Sequence, residues 1–284
     1  MSNIQFTKMH GLGNDFVVID DRDGALQLGA SEARAIGNRR TGVGFDQLLI
    51  METTTTDGAD VFMRIRNPDG SEAEACGNGT RCVASQVMNE LDRDAINIET
   101  IAGILKTERQ PDGRVSVDMG PANLDWQAIP LAEEADTLNI GITAGNLSDP
   151  VGVNMGNPHA VFFVGDVDDV ALEDIGPELE HHPMFPERAN IEIVQVTGPD
   201  QVRMRVWERS AGITQACGSG ACAVAVAAHR RGLTGRRVEV MLDGGPLEIE
   251  WQDDNHVLMT GPVAISYAGE LDPSLLSDPG NRHG

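Results

Sequence analysis

The chain has 284 residues, a formal net charge of −23 and 40% hydrophobic residues. That length suits one large domain or two medium ones with real cores, and so acidic a surface argues against nucleic acid and anionic membrane as partners. No apolar run nears the roughly 18 residues of a membrane span, and the N-terminus lacks a basic segment followed by an apolar one, so a cytoplasmic protein with reduced thiols is expected.

Taken in order, "FVVID" from Phe16 and "DQLLIM" from Asp46 read as strands, with a helix between them starting at Ser31, a good N-cap. "VFMRIR" from Val61 is an alternating strand, and "EACGNGTRC", Glu74 to Cys82, opens a helix. "NIET" is another strand, and "LKTERQPDGRVSVDMG" from Leu105 is a hairpin around Pro-Asp-Gly. The segment "ANLDWQAIPLAEEADTLNIGITAGNLSDP" from Ala122 repeats nothing before it. After it the pattern returns. "GNPHAVFFV" from Gly156 answers "GNDFVVI" from Gly13, a helix near Asp168 answers the one at Ser31, and "NIEIVQV" from Asn190 answers "FDQLLIM". "VRMRVWERSAGI" from Val202 answers "VFMRIRNPDGSE", "QACGSGACA" from Gln215 answers the first cysteine motif, and "TGPV" at Thr260 answers "MGPA" at Met119. For the matched segments, the helix starts aside, the offset stays at 141 or 143 residues, which indicates duplication.

The second cysteine helix is apolar nearly all round, and such a helix is usually buried. The expected fold is therefore α+β. It has two pseudo-symmetric repeats, each a curled, mostly antiparallel sheet wrapped around a central helix, with the active site in the cleft between them. The repeats are expected at 1–122 and 123–262, with the C-terminal strand 263–275 a candidate to pack back on the first, and 276–284 a frayed tail.

Cys76 and Cys217 each stand at a helix mouth followed by glycine. Unpaired N–H groups and the helix dipole there favour a thiolate and offer a nest for a carboxylate. Two such thiols facing one sp³ carbon can take a proton from one side and return it on the other, inverting the centre without a cofactor. Cys82 and Cys222, further inside the helices, read as buried structural thiols. Zinc is the alternative for four cysteines, but C-x₅-C and C-x₄-C are not knuckle spacings, so no metal is expected. A Cys/His acyl-transfer nucleophile with His159 as base remains a further alternative, one that leaves the second mouth unexplained.

Together "MHGLGNDFVVID", "GVGFDQLL", "NPDGSEAEACGNGTRC", "NMGNPHAVFFV" and "VWERSAGITQACGSGACA" resemble the diaminopimelate epimerase family, from Lys8 to about Tyr267. The resemblance implies a cytoplasmic enzyme that interconverts LL- and meso-diaminopimelate, a step towards lysine and peptidoglycan, with no pyridoxal phosphate and no metal. It implies that Cys76 and Cys217 are the acid–base pair and that the N–H groups of Gly77, Asn78, Gly218 and Ser219 hold the carboxylate at the reacting carbon. Asn14, Gln47, Asn67, Asn157, Asn190, Glu208 and Arg209 would bind the substrate, with Arg209 on the distal carboxylate. His159 and Glu208 would adjust the proton affinity of the sulfurs. For Asn14 and Asn157, each after a glycine, plain turn chemistry is the competing reading. The family also implies a homodimer with an aromatic contact at Tyr267, for which edge-strand packing is an equal alternative. Where the family reads glycine and glutamate before the second cysteine, this chain has Ser210 and Ile213. A proline or hydroxyproline racemase, or a non-catalytic amino-acid binding module, are the rival functions.

Overall fold

The structure is a computed structural model that describes residues 4–26 and 28–277. By internal contacts the chain divides into Met1–Val117 with Gly261–Gly284, and Asp118–Thr260. The first boundary falls before residue 122 because the segment beyond Val117 is bound to the second unit. Asp118 pairs with His256 Nδ1 at 2.8 Å, and the Ala122 carbonyl accepts from Asn255 Nδ2 at 2.8 Å.

The first unit runs β1 (Ile4–Gly11), β2 (Asn14–Asp20), α1 (Ala30–Gly37), β3 (Gln47–Glu52), β4 (Val61–Arg66), β5 (Glu72–Ala73), α2 (Gly77–Leu91), β6 (Ala95–Thr100), β7 (Gly103–Arg109) and the start of β8 (Val115–Pro121), which runs past the Val117 boundary. Strand β4 shows the two-residue period directly, with Val61, Met63 and Ile65 buried and Phe62, Arg64 and Arg66 turned outward. Strands β2 and β3 are parallel neighbours and apolar on both faces. That fits a sheet covered on both sides. Phe16, Val18 and Leu49 face α2 with Val83 and Val87, while Val17, Ile19, Leu48 and Ile50 pack with Ala33 and Ile36 of α1. Each fully buried valine or leucine here contributes on the order of 1.5–3 kcal/mol.

The second unit repeats the plan. After the short pair β9 (Thr143–Ala144) and β10 (Leu147–Ser148) come β11 (Val151–Asn154), β12 (Pro158–Val164), α3 (Leu172–Glu180), β13 (Asn190–Gly198), β14 (Gln201–Glu208), β15 (Gly212–Ile213), α4 (Gly218–Arg230), β16 (Arg237–Leu242), β17 (Gly245–Trp251) and β18 (His256–Gly261). The parallel pair β12–β13 sets His159 opposite Asn190, as β2–β3 sets Phe16 opposite Gln47. Helix α4 buries every residue from Ala221 to Ala228. Its alanines and valines let the surrounding strands approach closely.

Finally β19 (Ala264–Leu271) pairs antiparallel with β1, and α5 (Pro273–Ser277) follows. The tail is therefore not frayed from residue 276. Leu275 and Leu276 pack against the cluster of Phe6, Leu28 and Leu271, and residues 278–284 lie outside the described ones. Helix α1 also starts differently from the sequence expectation. Its cap is Gly29, whose N–H donates to Glu32 Oε2 at 2.9 Å, and the Ser31 hydroxyl is taken up by the same carboxylate. Its counterpart near Asp168 is only a 3₁₀ turn capped by Asp166, with α3 beginning four residues later.

Candidate active site

In the first unit, Cys76 is the cap of α2. Its backbone is extended and its sulfur accepts from Gly79 N at 3.4 Å. Oxygen side chains are the usual helix caps. A sulfur in that place in both units is not what helix stability alone would select. The same unit carries two amide chains. Asn14 accepts from Asn78 Nδ2 at 3.2 Å and donates to Asp46 at 3.0 Å, while Gln47 donates to Asn67 at 3.2 Å and Asn67 donates to Ser71 Oγ at 3.0 Å. Gly13, at φ 87, completes the tight turn that presents Asn14. The strand start is clamped by charge: Arg39 Nη2 lies 2.6 Å from Asp15 and 2.7 Å from Asp46, and Lys8 pairs with Asp15. Burial works to raise the Asp15 carboxyl, but Arg39 and Lys8 bring it down to about 2. Gly77 and Asn78 lie buried in the first turn of α2, and behind them the buried Arg81 donates to Asn78 Oδ1 at 2.9 Å.

In the second unit, Cys217 caps α4 and accepts from Gly220 N at 3.4 Å, with Ser219 Oγ at 3.7 Å. Here one expectation fails. Burial pushes the Cys217 thiol well above its ordinary value, and the charges of Glu208 and Glu192 push it further. The Gly220 N–H and the Ser219 hydroxyl act the other way and are outweighed. The helix end alone therefore does not make this sulfur a thiolate. Glu208 is hydrogen-bonded to Cys217 and Thr214, and burial raises its carboxyl too. His159, fully buried, sits between Glu192 Oε1 at 2.6 Å and Asn157 Oδ1 at 2.8 Å.

Asn190 is 2% exposed, and it accepts from Arg209 N and donates to the Pro158 carbonyl, both at 2.9 Å. One donor and one acceptor position of its amide are left. Arg209 donates to the Glu187 carbonyl at 3.2 Å, and the loop after it is pinned by Glu180, which accepts from Ser210 N at 2.9 Å and Trp207 Nε1 at 2.7 Å. Ser210 has φ 64, a left-handed conformation that costs a serine about 1 kcal/mol over glycine. Ile213 lies across from Trp207 and packs on the same apolar cluster. Cys82 and Cys222 are inaccessible inside their helices, and burial pushes Cys82 up to about 12.

Thus the first unit holds Asn14, Gln47, Asn67, Gly77 and Asn78 with Cys76. The second holds Asn157, His159, Asn190, Glu208, Arg209, Gly218 and Ser219 with Cys217. Sequence reasoning missed the residues behind each mouth: Arg81 in one unit, Glu192 in the other. The signal for Glu192 was present, because the repeat aligns it with Leu49.

A mixed sheet folded around a buried helix, twice along the chain, is a fold that this chain shares with solved structures. The fold matches a hydroxyproline epimerase from Agrobacterium vitis with a TM-score of 0.68, covering 96% of this chain and 94% of that one at 15% identity. The family follows from sequence. The diaminopimelate epimerase model matches residues 6–124 and 151–266, and the chain belongs to that family. It is 59% identical over 272 residues to the diaminopimelate epimerase of Rhodospirillum centenum, covering 96% of this chain and 94% of that protein. To that of Acidiphilium cryptum it is 53% identical, covering 96% and 98%.

Proposed function

We propose that this chain interconverts LL- and meso-diaminopimelate by two-base proton transfer between Cys76 and Cys217, with no cofactor. The observation that carries the reading is the duplicated sulfur-capped helix in a chain of this family. In one direction Cys76, as the thiolate, takes the α-proton while Cys217 holds a proton as the thiol, a form that its burial favours. The C–H bond breaks as the Cys76 S–H forms. The electron pair left on carbon then takes the Cys217 proton on the opposite face, leaving Cys217 as the thiolate. The reverse reaction starts from that inverted state. First-turn N–H groups of Gly77, Asn78, Gly218 and Ser219 stabilise charge developing on the adjacent carboxylate. Arg209 and the amides take the distal amino-acid group, and Glu208 and His159 set the proton affinity at Cys217.

The test is incubation with LL-diaminopimelate in deuterated water, following the α-proton signal by NMR. Deuterium is expected at the inverted centre, with none entering proline or hydroxyproline. Exchange in proline, or none in diaminopimelate, would sink the reading and favour the racemase or the binding module.

On the same reading the enzyme is cytoplasmic and works as a homodimer through β19. Among the described residues no helix is long and apolar enough to cross a membrane. On β19, Ile265 is 65% and Tyr267 47% exposed, a pair of large apolar side chains on one strand. Phe6 braces Tyr267 edge-on, with ring centroids 5.9 Å apart. Tyr267→Glu is expected to shift the sedimentation coefficient from dimer to monomer. Wild-type protein that sediments as a monomer would remove the proposal.

A further inference from the structure

The second unit buries a histidine–glutamate couple that the fold does not require. His159 and Glu192 are both inaccessible, with Nδ1 2.6 Å from Oε1. The same places on the parallel strands of the first unit are Phe16 and Leu49, also fully buried. Apolar packing thus completes this position in one unit. Removing an imidazole and a carboxylate from water is costly, and a buried ion pair often stabilises less than an apolar pair of like volume. The couple therefore serves something other than packing.

Its placement says what. A Cβ added at Gly220 would lie 2.9 Å from Glu192 Oε1 and 3.2 Å from Cys217 Sγ. At Gly79 the corresponding atom would lie 3.0 Å from a Leu49 methyl and 3.4 Å from Cys76 Sγ. The carboxylate thus fills, beneath the sulfur-bearing turn, the space a methyl fills in the sister unit. The other nitrogen of His159 meets Asn157 Oδ1, so both ring nitrogens face oxygens. The second oxygen of Glu192 is buried with no hydrogen-bond partner.

We propose that Glu192 is a positioning residue for the reaction. It holds the Nδ1 proton of His159 so that Nε2 is aimed at Asn157, and it fixes a negative charge under the Cys217 turn. The inference rests on the reading of Cys217 as one of the two proton carriers. The groups that face Glu192 are His159 on β12, Glu208 on β14 and Cys217 at the mouth of α4. Its charge raises the proton affinity of both Glu208 and Cys217. Removing that charge therefore moves any limb of the pH profile that they control to lower pH.

Two variants test this in the full chain with diaminopimelate. Glu192→Gln keeps the shape and a hydrogen-bond acceptor but removes the charge. It is expected to hold KM within about threefold, lose roughly 10-fold in kcat and shift the pH profile of kcat downward. The double variant His159→Phe/Glu192→Leu installs the sister unit's residues. It is expected to melt no lower than wild type yet lose about 100-fold in kcat. A Glu192→Gln enzyme with unchanged kcat and an unmoved pH profile overturns the proposal, and so does a double variant that melts far below wild type. The wild-type arm reports on the proposed reaction and the variant arms on Glu192, so the two ideas fail separately.

Discussion

Cys217→Ser, and equally Cys76→Ser, is expected to lower the rate of epimerisation by about 10²–10⁴-fold, the usual loss when a positioned proton carrier is removed. A serine hydroxyl at this site remains a donor but reaches its anion far less readily than a thiol, so the relay loses one end. The fold should be indifferent. Each sulfur caps its helix only through a 3.4 Å contact with a first-turn N–H, and serine is a better cap. Melting temperatures equal to or above wild type, together with collapsed α-deuterium exchange, are the expected pair of results. Wild-type turnover in either variant would end the two-thiol mechanism.

Arg209→Lys should raise KM by about 10- to 150-fold, the equivalent of roughly 1.5–3 kcal/mol for a hydrogen-bonded charged group. The backbone of this residue is held by Asn190 and that of its neighbour Ser210 by Glu180, so the guanidinium departs from a fixed point. A lysine there keeps the charge but cannot present two parallel N–H groups to a carboxylate. kcat should change far less than KM, because the distal group does not react. An unchanged KM would move the distal carboxylate to other residues.

Much of this was legible because the chain can be compared with itself. The repeat gave the two central helices and the equivalence of Gln47 and Asn190, while the parallel register that sets His159 opposite Asn190 belongs to the folded sheet. What it could not give was the environment of each group. Cys217 looked like an activated thiol because the helix end is local in sequence. The carboxylates that oppose ionisation, Glu208 and Glu192, come from two different strands. In "NIEIVQV" nothing local marks Glu192 as an inward-facing residue, yet it is fully buried. Ser31 reads as a cap because caps are judged by residue type. Here the neighbouring Glu32 satisfies Gly29 and claims the hydroxyl. Ser210 drew notice as a departure from glycine, but only its φ of 64 shows what the glycine was for.

Behind one sulfur stands a buried arginine, and behind the other a pair of carboxylates. Had the two halves been separate copies of one short chain, any substitution near one mouth would have appeared near the other as well. Joined in tandem, they can be inherited together and altered one at a time. A substrate whose two ends must be told apart needs a receptor whose halves are free to differ, and a single uninterrupted reading frame supplies that freedom.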